Sequence, residues 1–380
     1  MYIFISSTYL PLTGGKERFL SSLLFRIAKK GFPLALFTPR LKRNLPLAEK
    51  NVNFLLRRLR YLPIRGIGSC LFIFNLLAVL FSLRKQFGVI CLCSPKYEIP
   101  TVAFFCRLLG KKTFVRFSGS RPLKGMLAAA KTRFVPFISS SIKKIDYFIV
   151  LTDKMKDYLV AEQVPEEKIK IIPNGVDTDF FKPLEDEKKE EKKFLIGLAK
   201  KRVLLYCGRL VREKGVTDLL AAFTRLSPGF GAKLLLCGRG ELEKELADYA
   251  AANGLDEDVR FMGEDSNVVE LMQIADIFIS PSYAEGVSNA VLEAMSCALP
   301  CIVTQASSGV VTDRQSGIVI PAGDINALSK AVNELLGNTA LAGSLGKAAR
   351  ETAREKYNID KIADAYIEQF EAVLKWRKQG

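Results

Sequence analysis

The chain has 380 residues, 49% of them apolar and 25% charged, and this length is enough for two domains with full hydrophobic cores. The composition is that of a globular protein, which excludes disorder and fibrous repeats. The sequence contains no histidine. Its absence excludes Ser-His-Asp and Cys-His nucleophile systems, histidine-ligated zinc and any imidazole acid or base. Chemistry must rest on carboxylates, lysine, arginine, hydroxyls, backbone amides or the substrate's own groups.

The net charge of +16 is distributed unevenly along the chain. Residues 1–145 contain 26 lysines and arginines but only three acidic residues, Glu17, Glu49 and Glu98, whereas residues 146–380 carry a net charge of −7. So basic a first part is typical of a surface that faces a polyanion or an anionic membrane. The second part shows no such bias.

The eight cysteines form no Cys-x-x-Cys pair, and most lie within apolar runs. This pattern predicts buried, reduced thiols in a cytosolic protein rather than disulfides or a metal site. The N-terminus has no basic segment before its apolar start and no cleavage-site pattern, so we predict no signal peptide.

Apolar runs alternate with helical patterns along the first half. Met1–Ser7 is predicted to be a buried strand, and a Pro/Gly loop at 11–16 leads into a helix whose apolar residues have three- and four-residue spacing. Those residues are Phe19, Leu20, Leu23, Leu24 and Ile27. Further strands are predicted at Leu34–Phe37, Val89–Cys93, Thr113–Phe117 and Tyr147–Leu151. The alternation indicates a parallel sheet with helices on both faces.

Ile67–Leu83 is an apolar run whose only polar members are Ser69, Asn75 and Ser82. It lies at the short limit for a membrane span, which needs about 20 residues. Because a predicted strand, Val89–Cys93, follows at once, we expect a helix that packs on the sheet or dips into a membrane surface. A true span is the alternative.

The charged run Lys182–Lys193 interrupts this rhythm, has no apolar face and is interpreted as a solvated connector between two domains. Strands then resume at Val203–Cys207, Lys233–Cys237, Val259–Met262, Ile277–Ser280 and Cys301–Thr304. We expect an N-terminal domain at 1–181 and a C-terminal domain at 194–361, with a helix at about 362–380 packed back on the first. Two such α/β halves imply a cleft between them, where substrates of such folds usually bind.

The most informative segment reads Ser-Pro-Ser-Tyr-Ala-Glu-Gly-Val-Ser-Asn-Ala-Val-Leu-Glu-Ala-Met, at residues 280–295. A strand is predicted to end at Ser280, and Ser288 or Asn289 suits the N-cap of the helix that follows. A helix N-terminus directs free N–H groups and positive dipole toward the loop, and Gly286 lets the backbone approach a ligand closely. Anionic oxygens bind well at such a place.

Two carboxylates frame this segment. Glu285 precedes the predicted helix and Glu293 lies within it, with seven residues between them. They can therefore reach two different parts of one elongated ligand. Carboxylates accept hydrogen bonds from vicinal hydroxyls, which is how proteins commonly hold sugars and riboses.

Glycines flank the predicted loops at three other strand ends. The segment at 206–215 reads Tyr-Cys-Gly-Arg-Leu-Val-Arg-Glu-Lys-Gly and contains Gly208. It also contains two cations, Arg209 and Lys214, that suit a diphosphate. Gly238 follows the next strand, where a base or phosphate has room to approach. Gly14-Gly15 ends the first strand of the chain and is placed to close over a ligand from the other half.

Together these segments resemble the retaining nucleotide-sugar glycosyltransferases of family 4, whose GT-B architecture has two Rossmann-like domains facing a central cleft. The resemblance rests on Gly14-Gly15, on Ile-Pro-Asn-Gly-Val-Asp at 172–177, and on Gly208-Arg209 with Lys214-Gly215. It also includes Val-Arg-Phe-Met-Gly at 259–263 and the E-x7-E pair Glu285 and Glu293.

The resemblance implies a role for each matched residue. Arg209 and Lys214 would bind the donor diphosphate and stabilise the charge that develops on it. Glu285 would contact the donor sugar, and Glu293 the ribose hydroxyls. The remaining donor contacts would come from Gly14, Gly15, Gly208, Gly238, Met262, Gly286, Val287 and Ser288.

The same resemblance implies retention of anomeric configuration, no cofactor and no bound metal. The donor is expected to be UDP-linked rather than GDP-linked. One departure is clear: many members carry a histidine near the end of the strand matching Thr113–Phe117, and this chain reads Arg-Phe-Ser-Gly-Ser at 116–120. Ser118 and Gly119 are the candidates to serve the acceptor side instead.

The basic first half is expected to bind the acceptor, a lipid-linked sugar or a glycan, and to lie against an anionic membrane surface as a peripheral protein on the cytoplasmic face. Its basic residues are interleaved with apolar ones, and 126–142 is a candidate interfacial element. The clusters are Arg40/Lys42/Arg43, Arg57/Arg58/Arg60, Lys111/Lys112 and Lys143/Lys144.

Two other classes of function were weighed against this one. A nucleic-acid-binding protein fits the pI of about 9.4 but leaves the motifs of the acidic half unexplained. A nucleotide-sugar epimerase or a phosphorylase of the same fold lacks a histidine or an extra acid/base pair to support it. We therefore expect no nucleic-acid partner.

Overall fold

The computed structural model describes residues 1–11, 14–49, 54–62, 64, 67–93, 98–119, 145–226, 228–264, 267–306 and 308–376. The chain divides into two compact units. The first comprises Met1–Asn174 and Ile359–Gly380, and the second comprises Gly175–Asn358. Each unit has its own sheet and its own hydrophobic core.

The first unit is built on an eight-stranded sheet in the order β3-β4-β2-β1-β5-β6-β7-β8. All pairs are parallel except β3 with β4, at the edge. The strands are β1 (Tyr2–Ser6), β2 (Leu34–Pro39), β3 (Ala48–Glu49), β4 (Leu55–Leu59), β5 (Val89–Cys93), β6 (Lys112–Arg116), β7 (Tyr147–Val150) and β8 (Ile169–Ile171). The described helices that follow in chain order are α1 (Gly15–Lys29), α2 (Ile67–Ser82), α3 (Ile99–Leu108) and α4 (Asp153–Ala161).

The last helix of the chain belongs to the first unit. This helix, Ile359–Trp376, packs along α1, and the ring of Phe370 lies 4.9 Å from that of Phe114 and 5.0 Å from that of Tyr2. The phenol of Tyr2 donates to the carboxylate of Glu371 at 2.5 Å. Aromatic burial thus holds the C-terminus on the N-terminal sheet, and the chain returns to the first unit at residue 359.

The second unit has a six-stranded, fully parallel sheet in the order β11-β10-β9-β12-β13-β14. Its strands are β9 (Arg202–Cys207), β10 (Ala232–Cys237), β11 (Val259–Gly263), β12 (Ile277–Ser280), β13 (Cys301–Thr304) and β14 (Gly317–Ile320). Its described helices are α5 (Asp186–Leu195), α6 (Val216–Phe223), α7 (Glu243–Ala252), α8 (Val268–Ile274), α9 (Asn289–Ser296), α10 (Ile325–Gly337) and α11 (Thr339–Lys356), so that the C-terminal helix is α12. The central pair, β9 and β12, reverses the strand order, and ligands of open α/β sheets bind at such a point.

The expected α/β class with parallel sheets is confirmed, and all ten predicted strands are present. The predicted apolar stripe of α1 is buried throughout. Strands β3, β4 and β8 were not predicted, because they are short or carry charges, as in the Leu-Leu-Arg-Arg-Leu of β4. Strand β14 was not predicted either, although it is uncharged and as long as β12. The expected boundary at 181 differs from the observed one, which follows Asn174. The candidate interfacial element at 126–142 and the pair Lys143/Lys144 lie outside the described residues.

The interpretation of 182–193 as a solvated connector is wrong. Residues 186–193 of this region belong to α5, which lies inside the second unit. Lys189 and Lys193 both bind the carboxylate of Asp276, at 2.7 and 2.9 Å, and the Lys193 side chain is only 3% exposed. A helix normally packs on the rest of a protein through an apolar face, whereas α5 packs through these ion pairs. A hydrophobic pattern search does not detect a helix held in this way.

Asp276 is the centre of this network. It accepts a hydrogen bond from the backbone N–H of Val203 at 2.7 Å, and its own N–H donates to the Val203 carbonyl, so it joins β9 to β12 at their amino ends. Burial by itself raises the pKa of Asp276, but Lys189 and Lys193 together with the Val203 N–H outweigh burial and hold the pKa below its usual value. The ionised carboxylate is therefore the form that the fold requires.

We predict that Asp276→Asn lowers the free energy of unfolding by about 3 kcal/mol at neutral pH, because it leaves two lysines without their carboxylate. Since the pKa is lowered by folding, this stabilisation is complete above the unfolded value of about 3.9 and is lost as the pH falls through the folded value. Urea denaturation at pH 7 and at pH 3 measures the free energy of unfolding of the wild type and of Asp276→Asn. The difference between the two proteins should be smaller at pH 3 than at pH 7.

Asp258→Asn is the matched control for this prediction. In the wild type the carboxylate of Asp258 is 43% exposed and pairs with Lys233 at 2.6 Å. An exposed pair of this kind contributes about 1 kcal/mol or less. An equal loss of stability in the two variants would contradict the central role of Asp276.

Six of the eight cysteines are buried and all eight are free thiols, in agreement with the prediction. The two exceptions are Cys70, which is exposed on α2, and Cys207, which is partly exposed at the end of β9. In the described part of the chain, no helix combines the length and the apolar character that crossing a membrane requires.

Candidate active site

The loops that follow β9 and β12 are in direct contact with each other. Gly215 has a φ of +67°, and a Cβ at this residue would lie 2.1 Å from the carbonyl oxygen of Pro281. The backbone N–H of Tyr283 donates to the carbonyl of Glu213 at 2.9 Å. Any side chain at residue 215 would push the loops apart, so the glycine is required by space as well as by backbone conformation.

Lys214 and Glu285 meet where these loops touch. The Lys214 Nζ lies 2.7 Å from Glu285 Oε1, and both side chains are mostly buried, at 16% and 18% exposure. Ser282 Oγ donates to the other carboxylate oxygen of Glu285 at 3.0 Å. The ion pair and this hydrogen bond hold the carboxylate in one orientation beside the lysine. Two residues 71 positions apart thus form one polar site.

Arg209 lies on the same loop as Lys214 but faces solvent. Its guanidinium binds Glu213 at 2.7 Å, and its side chain is 67% exposed. The Tyr206 phenol donates to the Arg209 carbonyl at 2.8 Å and so fixes the loop backbone. Burial, and then the charge of Glu285, raise the pKa of Tyr206, which keeps this phenol a donor. Arg209 is therefore held by its backbone, while its charged end keeps the freedom to exchange partners.

The strand ends of β9, β10 and β11 lie side by side. Gly208 N–H donates to the Cys237 carbonyl at 2.9 Å, and Gly238 N–H donates to the Gly263 carbonyl at 2.9 Å. A Cβ at Gly238, whose φ is +139°, would lie 1.9 Å from the Gly208 carbonyl oxygen. Met262 precedes Gly263 on β11 and is half-buried. The predicted residues Gly208, Gly238 and Met262 thus share one edge of the sheet.

Helix α9 begins as the sequence predicts, with Ser288 at the N-cap, although the serine side chain caps no backbone N–H. Gly286 is half-buried and Val287 is buried in the loop before the helix. Glu293 is 5% exposed in the middle of α9. Burial, and then the charge of Glu293, raise the pKa of Cys297 to about 12. The thiol next to Glu293 therefore stays protonated at neutral pH.

The other predicted residues lie in the first unit. Gly14 is the N-cap of α1, whose first residue is Gly15, and Ser118 and Gly119 follow β6. Arg116, at the end of β6, is 2% exposed, stacks over the ring of Phe19 at 4.5 Å and donates to the side chain of Asn174. This buried arginine ties β6 to α1, so the place where the resemblance led us to look for a histidine is occupied by a packing residue.

Three contributors to the site were not predicted. Ser282 orients Glu285, Glu213 binds Arg209, and the phenol of Tyr283 donates to Asp218 on α6. Sequence spacing carried a signal for Ser282 alone, since it stands three residues before Glu285 in the same motif. The Tyr283–Asp218 contact joins two loops that are distant in sequence and cannot be found from spacing. Among the described residues, no cluster of three or more His, Cys, Asp or Glu side chains is arranged to hold a metal ion.

The two parallel-sheet α/β units have the architecture of GT-B glycosyltransferases. A solved structure of this kind, HepE of Anabaena in complex with UDP, superposes with a TM-score of 0.79, is 16% identical, and is matched over 98% of this chain and 99% of that one. The family Glycosyltransferase Family 4 matches residues 13–180, and Glycosyl transferases group 1 matches residues 187–352. The chain therefore belongs to the family 4, group 1 glycosyltransferases, as its motifs indicated.

Curated relatives agree with this placement. The capsular polysaccharide biosynthesis glycosyltransferase CapM of Staphylococcus aureus is 25% identical over 291 residues, which are 69% of this chain and 74% of CapM. The N,N'-diacetylbacillosaminyl-diphospho-undecaprenol alpha-1,3-N-acetylgalactosaminyltransferase of Campylobacter jejuni is 28% identical over 255 residues, 64% of this chain and 66% of that protein. Two further relatives are matched over 60% and 57% of their own length.

We predict that Gly215→Ala lowers the rate of sugar transfer at least tenfold, because its Cβ would separate the loops that bring Lys214 to Glu285. Gly254→Ala is the matched control, since Gly254 has the same φ of +67° but no atom near its missing Cβ. Gly254→Ala should lose about 1 kcal/mol of stability through backbone strain alone, and Gly215→Ala should lose more, because the backbone of Pro281 must also move. Transfer rates that fall equally in both would show that strain, and not loop contact, is responsible.

Proposed function

We propose that this protein is a retaining, metal-independent glycosyltransferase that moves a hexose-type sugar from a nucleotide-sugar donor to a lipid-linked or glycan acceptor. The observation that carries the proposal is the half-buried Lys214–Glu285 pair at 2.7 Å, at the carboxyl ends of β9 and β12. A cation suited to phosphate and a carboxylate suited to sugar hydroxyls lie side by side there. A donor in which a sugar is joined to a diphosphate presents these two groups as neighbours.

Lys214 and Arg209 bind the diphosphate in this proposal. Lys214 immediately precedes Gly215 and the start of α6, whose free N–H groups add positive potential. Arg209 exchanges Glu213 for a phosphate, because its guanidinium is 67% exposed and held only by that exposed pair. Together they stabilise the negative charge that develops as the bond to the sugar breaks.

The rest of the donor extends along the ends of the neighbouring strands. Glu285 receives the sugar hydroxyls, with Gly286, Val287 and Ser288 supplying backbone contacts, and Glu293 receives the ribose. Gly208, Gly238 and Met262 border the space for the nucleobase and phosphates. UDP is the preferred nucleotide, and the fold's likeness to HepE, which has been solved with UDP, supports this choice.

In the proposed reaction, the bond between the anomeric carbon and the diphosphate oxygen breaks with both electrons going to the diphosphate. The acceptor hydroxyl oxygen forms its bond on the same face of the sugar, so that configuration is retained. Its proton passes to an oxygen of the leaving phosphate, which lies on the same face of the sugar. Lys214 and Arg209 supply the positive charge.

The acceptor is assigned to the first unit, which carries the basic excess of the chain. Gly14 and Gly15 at the start of α1, and Ser118 and Gly119 after β6, are the candidate contacts there. The Campylobacter relative acts on a sugar carried by diphospho-undecaprenol, as its name states. A similar lipid-linked acceptor would place the protein on the cytoplasmic face of the cell membrane as a peripheral enzyme.

We predict that UDP or a UDP-sugar raises the melting temperature more than GDP or GDP-sugars do. A ligand at 100 times its Kd adds about 2.7 kcal/mol of stability. Lys214→Met should abolish this shift. Lys233→Met is the matched control, because Lys233 is similarly buried at 13% exposure and pairs with Asp258 outside these loops. No shift with any of these nucleotides would refute the donor assignment.

We predict that Arg209→Ala, Lys214→Ala and Glu293→Ala each lower kcat by roughly 10²- to 10³-fold without unfolding the protein. Transfer from a radiolabelled donor measures the rate, and circular dichroism checks the fold. Unchanged turnover in the Glu293 variant would refute its ribose role.

Retention is tested by the anomeric coupling constant of the product in NMR, and metal independence by full activity in EDTA.

A further inference from the structure

Helix α2 turns an apolar face outward. Its inner stripe, Gly68, Phe72, Leu76 and Leu80, is buried against the unit. The outer stripe has the same three- and four-residue spacing and consists of Ile67, Cys70, Phe74, Ala78 and Phe81, all exposed. Phe74 is 73% exposed and Phe81 51%. A surface helix normally places polar residues on its outer side, and α2 has no charged residue at all.

The neighbouring elements extend this face. Helix α3 packs beside α2 and exposes Phe104 at 39% and Leu108 at 68%. Leu62 and Ile64, just before α2, are 39% and 52% exposed. Large apolar side chains exposed on adjacent elements are typical of an interaction site. We call the exposed apolar residues Leu62 and Ile64 and those of α2 and α3 the α2–α3 face.

The exposed charges that adjoin α2 and α3 in sequence are basic. Between Glu49 and Glu98, and from there to Asp146, the sequence has no acidic residue. The Arg84 guanidinium lies 4.2 Å from the centre of the Phe81 ring, at the end of α2. Lys85, which follows α2, and Arg107, which lies on α3, are both exposed. By contrast, Arg58 is buried against Glu49 and Lys112 binds Asp146, so these members of the predicted basic clusters are engaged inside the unit.

We propose that the α2–α3 face is the surface through which this enzyme enters an anionic lipid bilayer. Its rings would lie among the acyl chains, and Arg84, Lys85 and Arg107 would bind lipid phosphates at the headgroup level. The charge pattern selects this occupant, because exposed cations beside an apolar surface are complementary to an anionic membrane. The inference deepens the proposed function and rests on it for the acceptor's location.

The helix lies in the membrane surface and does not cross it. At 16 residues α2 is about 24 Å long, and the hydrocarbon core is about 30 Å thick. Its inner stripe is already buried against the protein, so only one side remains for lipid. This geometry explains why the apolar run is almost long enough for a membrane-spanning helix and yet packs on a globular unit.

The experiment compares sedimentation of the full-length protein with vesicles of phosphatidylglycerol and phosphatidylcholine, and with phosphatidylcholine alone. We expect binding to the anionic vesicles and a loss of roughly tenfold or more in partitioning for each ring removed in Phe74→Ser and Phe81→Ser. Phe194→Ser is the matched control, because Phe194 is 71% exposed in the second unit. Its binding should equal that of the wild type. Melting temperatures within a few degrees of wild type verify that the variants fold.

A second measurement reads insertion directly. In a Trp376→Phe background, Phe74→Trp should be quenched by brominated acyl chains and Phe194→Trp should not. Wild-type vesicle binding by the Phe74→Ser, Phe81→Ser double variant would overturn the α2–α3 face while leaving membrane association intact. If the wild type binds no vesicle but still transfers sugar to a soluble acceptor, the face is overturned and the catalytic proposal stands. A wild-type dimer that the double variant converts to a monomer, with vesicle binding unchanged, would instead assign the face to a second copy of the chain.

Discussion

The close approach of Gly215 to Pro281 is the constraint on which the site depends. A Cβ at residue 215 would lie 2.1 Å from a carbonyl oxygen, so the two loops meet only because this residue has none. That contact brings Lys214 within 2.7 Å of Glu285 and shields both from water. Shielding strengthens their attraction and also fixes their positions. A cation and a carboxylate held at fixed positions are preorganised for a ligand that carries both phosphate and hydroxyl groups.

The same two strands are held at their opposite ends by a second charge network. Asp276 joins β9 to β12 at their amino ends and is neutralised by two lysines of α5. The polar contacts of Lys214 with Glu285 and of Tyr283 with Glu213 join them at their carboxyl ends. β9 and β12 are where the strand order reverses, so charge pairs fix both ends of the strand pair at which α/β sheets bind ligands.

Sequence reasoning succeeded where the signal was local. The apolar runs of the ten predicted strands, the stripe of α1 and the start of α9 all follow from residues close together in the chain. It failed at α5, because that helix is docked by Lys189 and Lys193 on a carboxylate more than 80 residues away. The E-x7-E motif drew attention to Glu285, but neither its ion pair with Lys214 nor its hydrogen bond from Ser282 follows from spacing. Contacts of this kind are set by the strand order, which the sequence does not state.

Helix α2 shows why an apolar run is ambiguous when only its composition is considered. Hydropathy alone reports that Ile67–Leu83 avoids water, and it does not distinguish a core helix, a span or an interfacial helix. The structure separates these by face: one stripe is buried on the sheet side, and the opposite stripe exposes Phe74 and Phe81. A core helix would bury both stripes, and a span would need greater length. Arg84 stacks on Phe81 at the end of the helix, and this arrangement of the two stripes is the basis of the proposed contact with an anionic membrane surface.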